Sequence, residues 1–104
     1  MTVILKQNDT KVNIKATLSN ESGPVDLTGC TVRFLMSKRR VIKIDREALI
    51  QDAANGVAWF VFEQPDTSEP GTFQAEFEVT FPDARVETFP NAGYILIDIQ
   101  SDLG

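Results

Sequence analysis

The chain has no histidine, one cysteine, one tryptophan and one tyrosine among its 104 residues. Each scarcity removes a class of function. Without histidine there is no side chain whose ordinary pKa suits a general base near neutrality, no Ser-His-Asp constellation, and none of the commonest metal ligand. A lone Cys30 forms no internal disulfide, so the fold rests on packing, and with no histidine beside it an ordinary zinc site is excluded. No apolar run approaches the ~20 residues of a membrane-spanning helix. Met1–Lys6 is briefly apolar, but no basic stretch precedes it and no small-residue cleavage site follows it. It reads as a first strand and not as a signal peptide. Lys and Arg number 10 against 15 Asp and Glu, a net charge of −5, which argues against nucleic-acid binding, since phosphate neutralisation needs clustered cations. Gly23, Gly29, Gly56, Gly71 and Gly93 stand singly beside turn signals, so no phosphate-cradling loop occurs. The sequence therefore predicts no enzyme, cofactor, metal site, nucleic-acid partner or membrane partner.

What is present is alternation. In Thr72–Phe81, Phe73, Ala75, Phe77, Val79 and Phe81 alternate with Thr72, Gln74, Glu76, Glu78 and Thr80. Successive strand side chains point to opposite faces, so this segment is an antiparallel strand with one face on a core and one in water. Val12, Ile14, Ala16 and Leu18 repeat the pattern, as do Cys30, Val32, Phe34 and Met36, and then Ile95, Ile97 and Ile99. Val41–Ile44 and Ala48–Gln51 flank the charged Asp45–Glu47, and Val57–Phe62, apolar on both faces, reads as a central strand covered on both sides. Turn formers punctuate these runs at Glu21–Gly29, Asn55-Gly56, the two-proline segment Glu63–Gly71 and Pro82-Asp83-Ala84. No segment sustains helical periodicity; one turn is expected near Thr67–Glu69, and Ser101–Gly104 reads as a frayed end. The expected architecture is an all-β, immunoglobulin-like antiparallel sandwich of about seven to nine short strands, one domain spanning 1–104, with a small barrel as the competing form.

Candidate functional residues are few. Fifteen carboxylates allow many pairs, and Glu76 with Glu78 reads as the solvated face of an amphipathic strand. Half of the basic residues fall in one segment: Lys38, Arg39, Arg40, Lys43 and Arg46. They are the candidate partner-binding patch, steering toward an acidic surface; the alternative is an exposed hairpin whose charges discourage edge-to-edge aggregation. Trp59, in the most apolar strand, reads as a core aromatic, and Cys30 as an inert buried thiol. Tyr94 follows Asn91-Ala92-Gly93 and is either exposed or bonded across the sandwich.

Several segments in order resemble a known family. They are Lys6–Thr10, Pro24–Gly29 leading into Thr31–Met36, Asp52–Val57, Gly71–Asp83, and Glu87–Asn91 followed by Tyr94–Ile97. Together, from roughly Lys6 to Ile99, they resemble the immunoglobulin-like N-terminal domain of tailed-bacteriophage baseplate upper proteins. The resemblance implies a non-enzymatic structural or adaptor protein of a phage or prophage virion, in baseplate, tail or neck. Such a protein is made in the bacterial host cytoplasm and binds other virion proteins, with a homo-oligomer among the possibilities. In that family the domain commonly anchors longer tail proteins. This chain ends where the domain ends, so no receptor-binding or trimerising part of its own is expected, and its basic Lys38–Arg46 segment departs from the family's pattern. The alternative is a carbohydrate-binding or adhesive sandwich aiding host-surface attachment, which requires exposed aromatics.

Overall fold

Alternating side chains can bury one face of a strand only if a second layer covers it, and two sheets do this for each other. The computed structural model describes residues Met1–Leu103. In chain order the strands are β1 (Thr2–Lys6), β2 (Asn13–Thr17), β3 (Ser19–Asn20), β4 (Gly23–Pro24), β5 (Thr31–Lys38), β6 (Val41–Glu47), β7 (Leu49–Asp52), β8 (Val57–Val61), β9 (Gly71–Thr80), β10 (Val86–Phe89) and β11 (Ile95–Gln100). A single 3₁₀ turn, Gln64–Thr67, lies within the expected Glu63–Gly71 loop, slightly ahead of the Thr67–Glu69 position read from the sequence.

The larger sheet runs β1-β11-β9-β5-β6, with β10 also on β9; the smaller runs β2-β8-β7, and β3 with β4 forms a separate short hairpin. β9 pairs along one edge with β5 and shares its other edge between β10, opposite Phe77–Thr80, and β11, opposite Gly71–Ala75. β10 and β11 are thus one edge partner broken by the Pro90–Tyr94 excursion. Pairing is antiparallel except between β1 and β11, which are parallel. Two sheets with crossing connections and a returning first strand make an immunoglobulin-like sandwich.

The core is the interleaved inner faces. From the larger sheet come Val32, Phe34, Met36, Phe73, Ala75, Phe77, Val79, Ile95, Ile97 and Ile99, and from the smaller Ile14, Ala58 and Phe60. Phe34 stacks on Phe60 across the gap, ring centroids 4.1 Å apart, and meets Phe77 and Phe62 edge-on at 5.2 and 6.4 Å. Thr67 is the one buried polar residue among the described residues. Its hydroxyl donates to the Asp9 carbonyl at 2.9 Å and its carbonyl accepts from the Asn8 N–H at 2.9 Å, which pins the β1–β2 connection to the 3₁₀ turn.

Four local readings need correcting. Asp45–Glu47 is not a break but the end of β6; the chain crosses from the larger to the smaller sheet at buried Ala48, whose N–H still bonds Val32 at 2.8 Å. β8 is central in its sheet yet covered on one side only, because Ala58 and Phe60 point inward and Val57, Trp59 and Val61 point out. Trp59 is therefore not a core aromatic: it lies half-buried on the outer face between Lys15 and Leu49, with its indole Nε1 buried and unpaired. Cys30, just ahead of β5, is half-buried and not enclosed. Ser101–Leu103 run past β11 as exposed, irregular chain, and Gly104 lies outside the described residues.

The Asn55-Gly56 turn carries a further constraint. Gly56 has φ +72°, and a Cβ there would come within 2.7 Å of the Val25 carbonyl oxygen and 2.8 Å of that of Leu18. Both are backbone atoms, held by the bond from the Leu18 N–H to the Gly56 carbonyl at 2.7 Å.

Phe34→Ala removes the ring that joins the sheets and is expected to cost about 3–5 kcal/mol in urea unfolding. Leu49→Ala, on the open face, is expected to stay within about 0.5 kcal/mol. Equal losses at the two positions would contradict this division of core and surface.

Candidate partner-docking surface

The five basic residues of Lys38–Arg46 are neighbours in sequence, but the fold separates them. Lys38 ends β5 with its ammonium 5.4 Å from the Phe73 ring centroid and 3.2 Å from Glu69 Oε2. Its aliphatic stem covers the end of the core while its charge is met by a carboxylate. Lys43 reaches the other oxygen of the same carboxylate, Oε1, also at 3.2 Å. The Lys38 and Lys43 contacts hold the Glu69 carboxyl below the usual glutamate range, Lys38's hydrogen bond contributing most.

Arg46 is a strap between the sheets. It lies on β6 of the larger sheet with its guanidinium 4.8 Å from the Phe60 ring centroid of the smaller. It donates twice to Asp66, at 2.7 Å and 3.1 Å, and once to the Val61 carbonyl at 3.3 Å. Glu63 adds an ion pair at 3.5 Å. The hydrogen bonds to Asp66 push the guanidinium's pKa further up. Asp66 in turn accepts from the Glu63 N–H at 2.7 Å, so the 3₁₀ turn and the strap are built on one carboxylate.

Arg39 and Arg40 remain. Both are exposed, and among the described residues neither has an ion pair. They are the two central residues of the turn joining β5 to β6, with Lys38 opposite Val41. Their φ angles are 51° and 68°. Positive φ at both positions is the type I′ hairpin geometry that Asn-Gly adopts without strain, and it costs an ordinary side chain roughly 1–2 kcal/mol per residue. Beyond the turn, Val41 and Ile42 are 58% and 55% exposed although they point to opposite faces. The hairpin end thus projects past the sandwich as a two-stranded finger carrying two free cations and two bare aliphatic side chains.

The finger borders an open groove of about 830 Å³ on the outer face of the larger sheet, whose floor includes Ser37, Gln74 and Leu96, with Tyr94 beside them. Ser37, Gln74 and Leu96 sit in one cross-strand row. Tyr94 is 51% exposed, so of its two sequence readings the exposed one holds. Glu76, read as solvated surface, lines the far side of this groove, half-buried. Sequence reasoning missed the groove, because Tyr94 and Leu96 meet Ser37 only through the register of three strands. The doublet Val41-Ile42, which breaks alternation directly after two arginines, was the available signal.

Among the described residues no group of three or more Cys, Asp and Glu side chains is placed to hold a metal. Burial, then the charges of Asp26 and Asp83, pushes the Cys30 thiol's pKa up, away from the reactive thiolate.

The fold is an immunoglobulin-like sandwich with an exposed basic hairpin between β5 and β6. Residues 3–89 fit the model of the BppU N-terminal domain, and the chain belongs to that family, the N-terminal domain of phage baseplate upper proteins. Its role is accordingly structural, in the phage baseplate. No curated protein sequence matches the chain. Among solved structures it is similar to the N-terminal domain of phage TP901-1 ORF48, with a TM-score of 0.72 at 17% identity over 96% of this chain and 85% of that one. It is also similar to CopC from Methylosinus trichosporium OB3b, with a TM-score of 0.55 at 12% identity over 98% of this chain and 88% of that one. At such identities both likenesses concern the fold.

Two outcomes follow from the geometry. Replacing the strained pair with Arg39→Asn and Arg40→Gly is expected to raise stability by about 1–3 kcal/mol in urea unfolding; a loss would contradict the strain. Glu69 has a lowered pKa in the fold, so its contribution is present above the ordinary glutamate range and is lost as pH falls through and below it. Glu69→Gln is therefore expected to flatten the acid side of the stability-against-pH curve, and an unchanged acid limb would contradict the Lys38–Glu69–Lys43 bridge.

Proposed function

We propose that this protein is a non-enzymatic adaptor of the phage baseplate, located in the virion tail and seated against neighbouring virion proteins through its β5–β6 finger. The observation that carries the proposal is the division of the basic cluster. Lys38, Lys43 and Arg46 are consumed by Glu69, Asp66 and Glu63, while Arg39 and Arg40 stand unpaired in a strained turn. A strained conformation held by exposed arginines has no use in the fold itself and points to a role in contact. Arg and Tyr are also the side chains that concentrate binding energy at protein interfaces, and Arg39, Arg40 and Tyr94 border one groove. The docking residues are thus Arg39 and Arg40, with Lys38, Lys43 and Arg46 setting the shape of the finger behind them.

The carbohydrate reading has one supporting observation, the exposed Tyr94 beside Gln74 and Thr72. Trp59 does not add to it, since it sits on the other sheet with its indole N–H closed off from solvent.

Mass spectrometry of gradient-purified phage particles is expected to find the protein, and complementation with the Arg39→Asn, Arg40→Gly variant is expected to leave it folded but depleted from particles. Absence of the wild-type protein from purified particles would overturn the proposal.

A further inference from the structure

The groove beside the finger has opposite charges at its two ends and none on its floor. At the finger end stand Arg39 and Arg40, exposed and without an ion partner among the described residues. Lys38 borders the same end, but Glu69 meets its charge. At the other end stands Glu76, half-buried and also without an ion partner among the described residues. Thr72, beside the finger, and Glu76 lie four positions apart on β9, about 13 Å at ~3.3 Å per residue. Two more carboxylates stand outside the lining: Asp98, opposite Thr72 on β11, and Asp45, across Leu35 from Glu76 and matched by Arg33 at 2.8 Å. Between the charged ends the side chains are neutral. Ser37, Thr72 and Gln74 offer two hydroxyls and an amide, while Leu96 and Tyr94, 39% and 51% exposed, offer apolar area.

We infer that the occupant of this groove is an extended, acidic segment of a different protein. Its carboxylates lie on Arg39 and Arg40, an apolar side chain lies on Leu96 and Tyr94, and a basic side chain reaches Glu76. Charge complementarity selects the chemistry, since a guanidinium takes a carboxylate through two parallel hydrogen bonds and two adjacent unpaired arginines favour two acidic side chains. The neutral floor selects the form. Hydroxyl and amide side chains both donate and accept, as a peptide backbone does, so they hold a main chain whatever its sequence while the two ends read its side chains. A span of about 13 Å is four residues of extended chain. The net charge of −5 does not oppose this, because charges beyond the Debye length of ~8 Å are largely screened and those lining the groove are not. The inference rests on reading the finger as a docking surface, and adds what docks there.

Amide NMR of the isotope-labelled full chain tests it. The probes, each taken to about 5 mM, are acetyl-Asp-Asp-Ser-Leu-Ser-Lys-amide, the same residues in reverse order, and the charge-reversed acetyl-Lys-Lys-Ser-Leu-Ser-Glu-amide. One of the two acidic peptides is expected to shift the amides of Ser37, Arg39, Gln74 and Leu96, with a Kd at least about tenfold below that of the charge-reversed peptide. Arg39→Asn with Arg40→Gly is expected to raise that Kd by about tenfold, and Tyr94→Ala by about threefold, each in a chain whose spectrum remains folded. Arg39→Glu, Arg40→Glu and Glu76→Lys together are expected to reverse the preference, so that the charge-reversed peptide binds more tightly. The absence of groove shifts with either acidic peptide overturns the inference, as do equal affinities for acidic and charge-reversed peptides, or indifference to the arginine changes. It is also overturned if glucuronic acid shifts these amides and the peptides do not, which marks a saccharide site, or if raising the protein concentration alone shifts them, which marks a second copy. Failure of the peptides while the Arg39→Asn, Arg40→Gly variant is still depleted from particles strikes the acidic segment and leaves the docking finger. Peptide binding by a protein absent from particles strikes the baseplate placement alone.

Discussion

Phe34 of β5 and Phe60 of β8 stack with ring centroids 4.1 Å apart, and this contact joins the two sheets. It sits at the crossing of the inner rows: Phe77 reaches Phe34 from β9, and Phe62 closes on both rings from beyond β8. Four phenylalanines, three of them gathered on Phe34, give the centre of a small domain its bulk without a disulfide, which the lone Cys30 cannot supply. Arg46 depends on the same rings, because its guanidinium lies over Phe60 and from there reaches Asp66. The strap thus ties β6 of the larger sheet to Phe60 of the smaller one and to the 3₁₀ turn.

The finger lies at the other end of β6, at the turn from β5. Lys38 and Lys43, both bound to Glu69, hold the two roots of the hairpin against the loop before β9. With its roots tied, the tip has no protein to lie on, and Arg39, Arg40, Val41 and Ile42 stand clear. The proposed docking surface and the fold therefore draw on one run of basic residues in different ways: three are spent on internal carboxylates, and two project beyond them.

Much of the fold was legible because alternation is a local property. The parity of Phe73 to Val79, of Val32 to Met36 and of Ile95 to Ile99 assigns those residues to the core whatever the neighbouring strand. Parity gave no help where both faces are apolar. In Val57–Val61 either Trp59 or its neighbours Ala58 and Phe60 could face inward, and pairing with β2 and β7 decides for Ala58 and Phe60. The crossing at Ala48 was hidden because charged Asp45 and Glu47 sit on the wet side of a strand that continues through them. Of the site, the sequence supplied the five basic residues but not their division. The partners Glu63, Asp66 and Glu69 lie some 17 to 31 residues further on, in a segment legible only as a loop. The left-handed turn was equally hidden, since Arg-Arg carries none of the Asn-Gly chemistry that announces such a turn.

The baseplate role comes from membership of the BppU N-terminal domain family, and the β5–β6 finger is the place of contact we propose. Cryo-electron microscopy of the assembled tail tests this most directly. The account predicts the domain in the baseplate with the Lys38–Ile42 finger buried against protein and the Arg39 and Arg40 guanidinium groups within about 4 Å of carboxylates on the facing chain. A baseplate in which this finger points into solvent, with the domain held by another face, would contradict it.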